Sequence, residues 1–154
     1  MHACTHAHTA TGMRPPARAL LRKLAALPAL VSSGWARPLS VPLVAQLGYY
    51  PPGARYQPHL DRSPTEPLNR KELTFLLYAN VDWDVSSGGE LRVHPPAAAT
   101  PPRPDLPLAP QEVVDIAPLA GRVVIFQSAH VLHEVRPCTG ARGRLALTLW
   151  VEYA

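Results

Sequence analysis

No aspartate or glutamate occurs before Asp61. An acid-free leader of this kind would suit a nucleic-acid-binding arm or an arginine-rich transit peptide. Arg14, Arg18, Arg22 and Lys23 are scattered rather than massed, so nucleic acid is not an expected partner despite the net charge of +4. The expected compartment is the cytoplasm, with organelle targeting as the alternative. Cysteine is scarce too. Cys4 and Cys138 alone make neither a disulfide framework nor a zinc finger, and a reducing compartment is the default. No apolar run approaches the roughly 20 residues a membrane helix needs, so no membrane partner is expected. Charged residues are only 17% of the chain, but hydrophobic ones reach 47%, which places it among folded rather than disordered proteins. At 154 residues it is long enough for a single core.

What is present is proline, at 19 residues, and a change of periodicity along the chain. Residues 1–12, small and polar with three histidines, read as a frayed terminus. Pro15 and Pro16 open a short helix over Ala17–Leu27, where Leu20, Leu21, Leu24 and Leu27 recur at helical spacing and Pro28 suits the end. From Val41 the pattern becomes short strands: Val41–Tyr50, Tyr56–Asp61, Leu73–Val81, Gly89–Val93, Val113–Ile116, Arg122–Gln127, Val131–Val135 and Arg144–Tyr153. Turn signals such as Pro51-Pro52-Gly53, Ser87-Gly88-Gly89 and Ala120-Gly121 separate them. Eight short strands predict a mainly β fold, a double-stranded β-helix or jelly roll of two facing sheets with a short N-terminal helix. The Pro/Ala-rich stretch from His94 to Pro110 cannot pair in a ladder and reads as a loop insertion. The expected organisation is residues 1–40 as a tail and short helix and 41–154 as the jelly-roll domain.

Alternation along the strands points to chemistry. In the last strand Arg144, Ala146, Thr148 and Trp150 share one face, and Leu145, Leu147 and Leu149 share the other. The leucine face belongs against a core. The opposite face is either solvated, or Arg144 waits there for an anion, since an unpaired inward charge is costly. Thr74, Leu76 and Tyr78 likewise share a face, ending in a hydroxyl suited to a polar ligand. His59-Leu60-Asp61 points an imidazole and a carboxylate the same way. Alone the triplet is weak, because most His-x-Asp sequences are incidental. With His133 on a later strand it makes two histidines and one carboxylate, the ligand set that binds Fe(II) and leaves coordination positions open. Arg144 follows one hairpin later, where a guanidinium could grip a carboxylate.

From about Leu43 to Tyr153 the chain resembles the catalytic domain of Fe(II)/2-oxoglutarate-dependent prolyl 4-hydroxylases, particularly the hypoxia-inducible-factor type and its bacterial relatives. The resemblance rests on Tyr50-Pro51-Pro52-Gly53 before His59-Leu60-Asp61, Leu76-Leu77-Tyr78-Ala79-Asn80 with Asp82-Trp83, and Gly88-Gly89-Glu90-Leu91-Arg92. It continues through Asp115-Ile116-Ala117-Pro118, Gly121 to Phe126, His133-Glu134-Val135 with Pro137, and Arg144 to Trp150. The resemblance implies that His59, Asp61 and His133 hold Fe(II). It implies that Arg144 pairs with the distal carboxylate of 2-oxoglutarate with help from the Tyr78 hydroxyl, and that Tyr50, Leu91, Thr148 and Trp150 line the co-substrate pocket. It further implies hydroxylation of a C–H bond by O₂ with release of succinate and CO₂, ascorbate as a reductant, and a prolyl residue of a peptide or protein as substrate.

The resemblance has departures. Less helix precedes the first core strand than the family carries, so residues 1–40 read either as a truncated support or as a minimal form of it. His130 rivals His133, but its offset of three would point it to the other face. Arg142 rivals Arg144, but it falls on the turn and is expected to be solvated. Asp82, Asp84, Glu90 and Asp115 read as turn and strand-edge polar residues, His94 as a loop histidine, and Trp35 and Trp83 as packing residues. The competing functions are a non-catalytic metal-binding jelly-roll module, an oxygenase of small molecules, and nucleic-acid demethylation by the same chemistry. Neither the substrate nor the oligomeric state is set by the sequence.

Overall fold

The computed structural model describes residues 4–8, 15–34, 38–40, 44–63, 65–95 and 112–154. Of the loop expected from His94 to Pro110, residues 96–110 lie outside the described residues, as does Trp35. Among the described residues the chain forms β1 (Cys4–His8), α1 (Pro15–Ser32), β2 (Ala45–Tyr50), β3 (Tyr56–His59), β4 (Leu73–Tyr78), β5 (Leu91–Val93), β6 (Val114–Ile116), β7 (Val123–Gln127), β8 (His133–Val135) and β9 (Arg144–Val151). They make a five-stranded sheet in the order β1-β2-β9-β4-β7 and a four-stranded sheet in the order β3-β8-β5-β6, with every strand pair antiparallel. This is the expected jelly roll, and all eight expected strands are present.

Two expectations are corrected. Within the terminus expected to fray, Cys4–His8 is a strand that pairs with β2 over its whole length, at the edge of the larger sheet. The helix does not stop at Pro28 but runs through it to Ser32. Proline forfeits the hydrogen bond its N–H would make and costs about 3 kcal/mol in a helix interior. Here Pro28 is fully buried, one turn from buried Leu24, and Ser32 Oγ donates to the Pro28 carbonyl at 2.9 Å. Burying this face against the sheet offsets the lost bond. The side chains of Leu20 and Leu21 lie outside the described residues. No helix among the described residues is long and apolar enough to cross a membrane.

The β4 strand explains where the core sits, because it is buried on both faces. Leu73, Phe75 and Leu77 pack on one side with Leu149, Val151 and Leu24, and Leu27 and Val31 of α1 close over them. Leu76 and Tyr78 face the other way, between the sheets, with Leu91, Phe126 and Ala146. The alternation of β9 follows the same division, since Thr74, Leu76 and Tyr78 sit opposite Trp150, Thr148 and Ala146. The two-residue period thus sends the leucine face of β9 to the helix and its Arg144 face between the sheets. Pro58 is tolerated within β3 because that strand is an edge, paired only with β8.

The strands are shorter than their apolar runs. Thus β5 begins at Leu91, not Gly89, because Gly88 and Gly89 take φ of +61° and +74°. A Cβ on Gly88 would stand 2.3 Å from the Pro137 carbonyl, and one on Gly89 3.1 Å from Arg144 Cδ. These two glycines let the turn lie directly on the segment leading into Arg144.

Candidate active site

His59 and His133 face each other across the β3–β8 pair, in register, with ring centroids 4.3 Å apart. Asp61 follows two residues after His59, and its Oδ1 lies 3.6 Å from His59 Nε2. Ligand-type atoms of His59, Asp61 and His133 all lie within 4.8 Å of one another. The structure therefore brings together the three residues that the sequence pattern singled out.

Both imidazoles are held in one tautomer. His59 Nδ1 lies 2.9 Å from the Gln57 carbonyl and His133 Nδ1 3.0 Å from the Val131 carbonyl. A carbonyl only accepts, so each Nδ1 carries the proton and each Nε2 keeps a free lone pair. A backbone acceptor behind a ligating histidine is the usual means of fixing its orientation and raising its basicity. Burial lowers the His133 pKa, so its ring stays neutral near pH 7. Burial alone would raise that of Asp61, but the adjacent His59, the hydrogen bond from Thr74 and the nearby His133 outweigh it and bring the carboxyl to about 2. At neutral pH Asp61 is thus an anion and His133 a neutral imidazole, the forms in which these groups bind a divalent metal.

Arg144 opens β9 at the same cleft and is only 4% exposed. Its guanidinium carbon sits 5.0 Å from the ring centres of both Tyr50 and Tyr78. Neither Arg144 Nε nor the buried Tyr78 hydroxyl has a hydrogen-bond partner, and no carboxylate among the described residues pairs with Arg144. A buried cation with unmet donors is costly unless an anion meets it. The cleft has a volume of about 490 Å³ and is lined by His59, Asp61, His133, Tyr50, Leu91, Arg144, Thr148 and Trp150, among others. Tyr78 is not at its surface; it lies behind Arg144, 1% exposed.

Asn80 sets the start of β9. Its side-chain amide accepts from the Leu145 N–H at 2.6 Å and donates to the Leu145 and Pro118 carbonyls at 3.0 and 2.7 Å. Asn80→Ala removes the acceptor of the Leu145 N–H, next to Arg144, and one of the donors to its carbonyl, and should cost about 1–3 kcal/mol. Urea unfolding of the metal-free protein would show this as a lower midpoint at unchanged slope.

The rival residues fall elsewhere. His130 is exposed in the turn after β7. Arg142 is exposed and makes a surface ion pair with Asp82 at 3.6 Å. Asp84 caps the 3-10 turn at Val85–Ser87, and Asp115 forms a two-pronged pair with Arg92 at 2.8 and 2.7 Å. Trp83 donates to the Gly88 carbonyl, and His94, at the end of β5, lies 3.2 Å from Glu134. Cleft residues that sequence reasoning missed include Gln46, Tyr56, Glu66, Asn69 and Lys71. Lys71 places its ammonium 3.9 Å from the Trp150 ring centre. The only signal for them was position, in the segments either side of the His-x-Asp triplet.

Comparison with known proteins agrees with this geometry. Residues 45–152 match the profile of the 2OG-Fe(II) oxygenase superfamily. The fold is similar to that of a Pseudomonas putida prolyl-4-hydroxylase, with TM-score 0.77 and 29% identity, over 99% of this chain and 73% of that one. It is similar to a Phytophthora capsici prolyl 4-hydroxylase, with TM-score 0.72 and 27% identity, over 97% of this chain and 48% of that one. A Trichoplax adhaerens prolyl hydroxylase, solved in complex with a hypoxia-inducible-factor degradation-domain peptide, shares the fold at TM-score 0.73 and 22% identity, over 97% of this chain and 63% of that one. With a profile match spanning well over half its length, and with the His-Asp-His cluster in place, the chain belongs to the 2OG-Fe(II) oxygenase superfamily, with prolyl 4-hydroxylases as its structural kin.

Proposed function

We propose that the chain is a dioxygenase that hydroxylates a prolyl residue of a peptide or protein, with Fe(II) held by His59, Asp61 and His133 and 2-oxoglutarate anchored by Arg144. Family membership makes Fe(II), 2-oxoglutarate and O₂ the reagents. Bound iron supplies the coupling of 2-oxoglutarate decarboxylation, giving succinate and CO₂, to insertion of one oxygen atom of O₂ into a substrate C–H bond.

The observation that carries this assignment is the pairing of two unlike centres in one cleft. One is a cluster of three ligand-type groups within 4.8 Å of one another, and the other is a buried guanidinium that no carboxylate among the described residues pairs with. The chain's own part is to bind, orient and exclude water. His59 and His133 present Nε2 lone pairs, and Asp61 presents the only anionic ligand. Arg144 holds a carboxylate at the far end of the cleft, and Tyr78 behind it supports the guanidinium. Leu91, Leu76 and Val135 supply apolar lining to the cleft. Ascorbate is the expected reductant. The jelly-roll part of the chain, residues 41–154, carries all of these groups. A peptide substrate is favoured by the similarity to prolyl 4-hydroxylases and by the polar cleft residues Ser63, Glu66 and Asn69.

The test is succinate release with Fe(II), 2-oxoglutarate and ascorbate, with and without a panel of proline-containing peptides. The expected result is peptide-stimulated succinate with one oxygen atom added at proline. Stimulation by free amino acids alone would replace the peptide assignment with a small-molecule one. Succinate formation that no proline compound stimulates would overturn the prolyl assignment.

A further inference from the structure

Thr74 and Ser128 are 54 residues apart in sequence, yet their hydroxyls meet at 2.8 Å in the interior. They are 1% and 0% exposed, and so are among the few fully buried polar side chains described. Thr74 sits on the inner face of β4, between Phe126 of β7 and Trp150 of β9. Its Oγ1 donates to Asp61 Oδ2 at 2.5 Å. A hydroxyl has one proton to give. Since that of Thr74 goes to Asp61, the Ser128 hydroxyl must be the donor in the Thr74–Ser128 bond. The chain of donors therefore runs one way, from Ser128 to Thr74 to Asp61 Oδ2, and each bond polarises the next. Ser128 is itself pinned: its N–H donates to the Glu72 carbonyl and its carbonyl accepts from the Arg62 N–H, next to Asp61.

The two carboxylate oxygens are thus unequal. Oδ2 is engaged from the protein interior, and Oδ1 is the one facing His59 Nε2. We propose that Thr74 and Ser128 are positioning residues that commit Asp61 to bind the metal through Oδ1 alone, so that Oδ2 does not take a second coordination position needed by the co-substrate. This rests on the assignment of Asp61 as a metal ligand made above. It adds two residues whose only route to the metal is through that carboxylate.

Mn(II), which is redox-inert under these conditions, is the probe, with binding measured by calorimetry on the full chain. 2-Oxoglutarate affinity is then measured at saturating Mn(II). Thr74→Val keeps the shape and removes the proton. It should weaken Mn(II) by tenfold or more, the size usual for loss of a group behind a metal ligand, and should also weaken 2-oxoglutarate although Arg144 is untouched. Thr74→Ser restores the hydroxyl and should return both affinities to within about threefold of wild type. Ser128→Ala leaves the Thr74 donor in place and should fall between the two, which keeps the test open if Thr74→Val folds poorly. Wild-type affinities in Thr74→Val, or in Ser128→Ala if only that variant folds, overturn the proposal. So does a lowered melting temperature of the metal-free protein with unchanged metal and co-substrate affinity, the pattern of a purely structural pair. If the wild-type chain itself fails to bind Mn(II), the metal-site assignment falls and takes this proposal with it.

Discussion

Asp61→Ala is expected to reduce turnover to background and to weaken Fe(II) by more than about 100-fold, beyond the loss usual for a group that only supports a ligand. Asp61 is the only anion in the cluster, and its carboxyl, at about 2, is ionised throughout the working pH range. Without it two imidazoles remain and no anionic ligand, a weak site for a divalent cation that prefers a mixed nitrogen and oxygen set. Asp61→Asn is the finer variant. It keeps an acceptor for the Thr74 hydroxyl and removes only the charge, so its metal-free melting temperature should fall less than that of Asp61→Ala while metal binding is lost. Calorimetric titration with Fe(II) under anaerobic conditions, beside a melting curve, separates the two effects. Wild-type Fe(II) affinity in either variant would remove Asp61 from the ligand set.

The second large effect is expected at Arg144, and its signature is a contrast. Arg144→Met keeps most of the buried volume and removes the cation. 2-Oxoglutarate affinity should fall by roughly 30-fold to several thousand-fold, the 2–5 kcal/mol typical of truncating one member of a buried, hydrogen-bonded charge pair. The metal-free protein should be no less stable, and Mn(II) affinity should hold. In the absence of co-substrate Arg144 is a buried cation whose Nε has no partner, and replacing such a charge by an apolar group of similar size is often neutral or stabilising. Loss of affinity with retained stability marks a ligand-binding charge. Loss of both would mark a structural one. Unchanged affinity would contradict the assignment, and the exposed Arg142, already paired with Asp82, offers no substitute within the cleft.

Much of this was legible before any coordinates because β-sheet side chains alternate strictly. The leucine face of β9 and the Arg144 face go where a period of two sends them, one toward α1 and one between the sheets. His59 and Asp61 converge for the same reason. That His133 lands directly opposite His59 is a matter of register, which no local pattern in the chain states. The backbone carbonyls of Gln57 and Val131, which fix the two tautomers, were out of reach because a carbonyl has no sequence identity. Thr74 was visible as an inner-face residue, but its meeting with Ser128 depends on how β7 ends beside β4. The two misjudged segments share a cause. Pro28 and the polar first residues are poor local formers of structure, and in each case tertiary contact decides: burial of Pro28 on the sheet face, and pairing of Cys4–His8 with β2.

The central claim is that one cleft holds both a working iron site and a 2-oxoglutarate anchor. An anaerobic titration of the purified chain with Fe(II) and 2-oxoglutarate, followed by admission of O₂, tests it most directly. The account predicts a visible metal-to-ligand charge-transfer band that needs both additions, is absent in Asp61→Ala, and decays on admission of O₂ with release of succinate. A folded wild-type protein that gives no band, or a band that persists in O₂ without succinate, would contradict it.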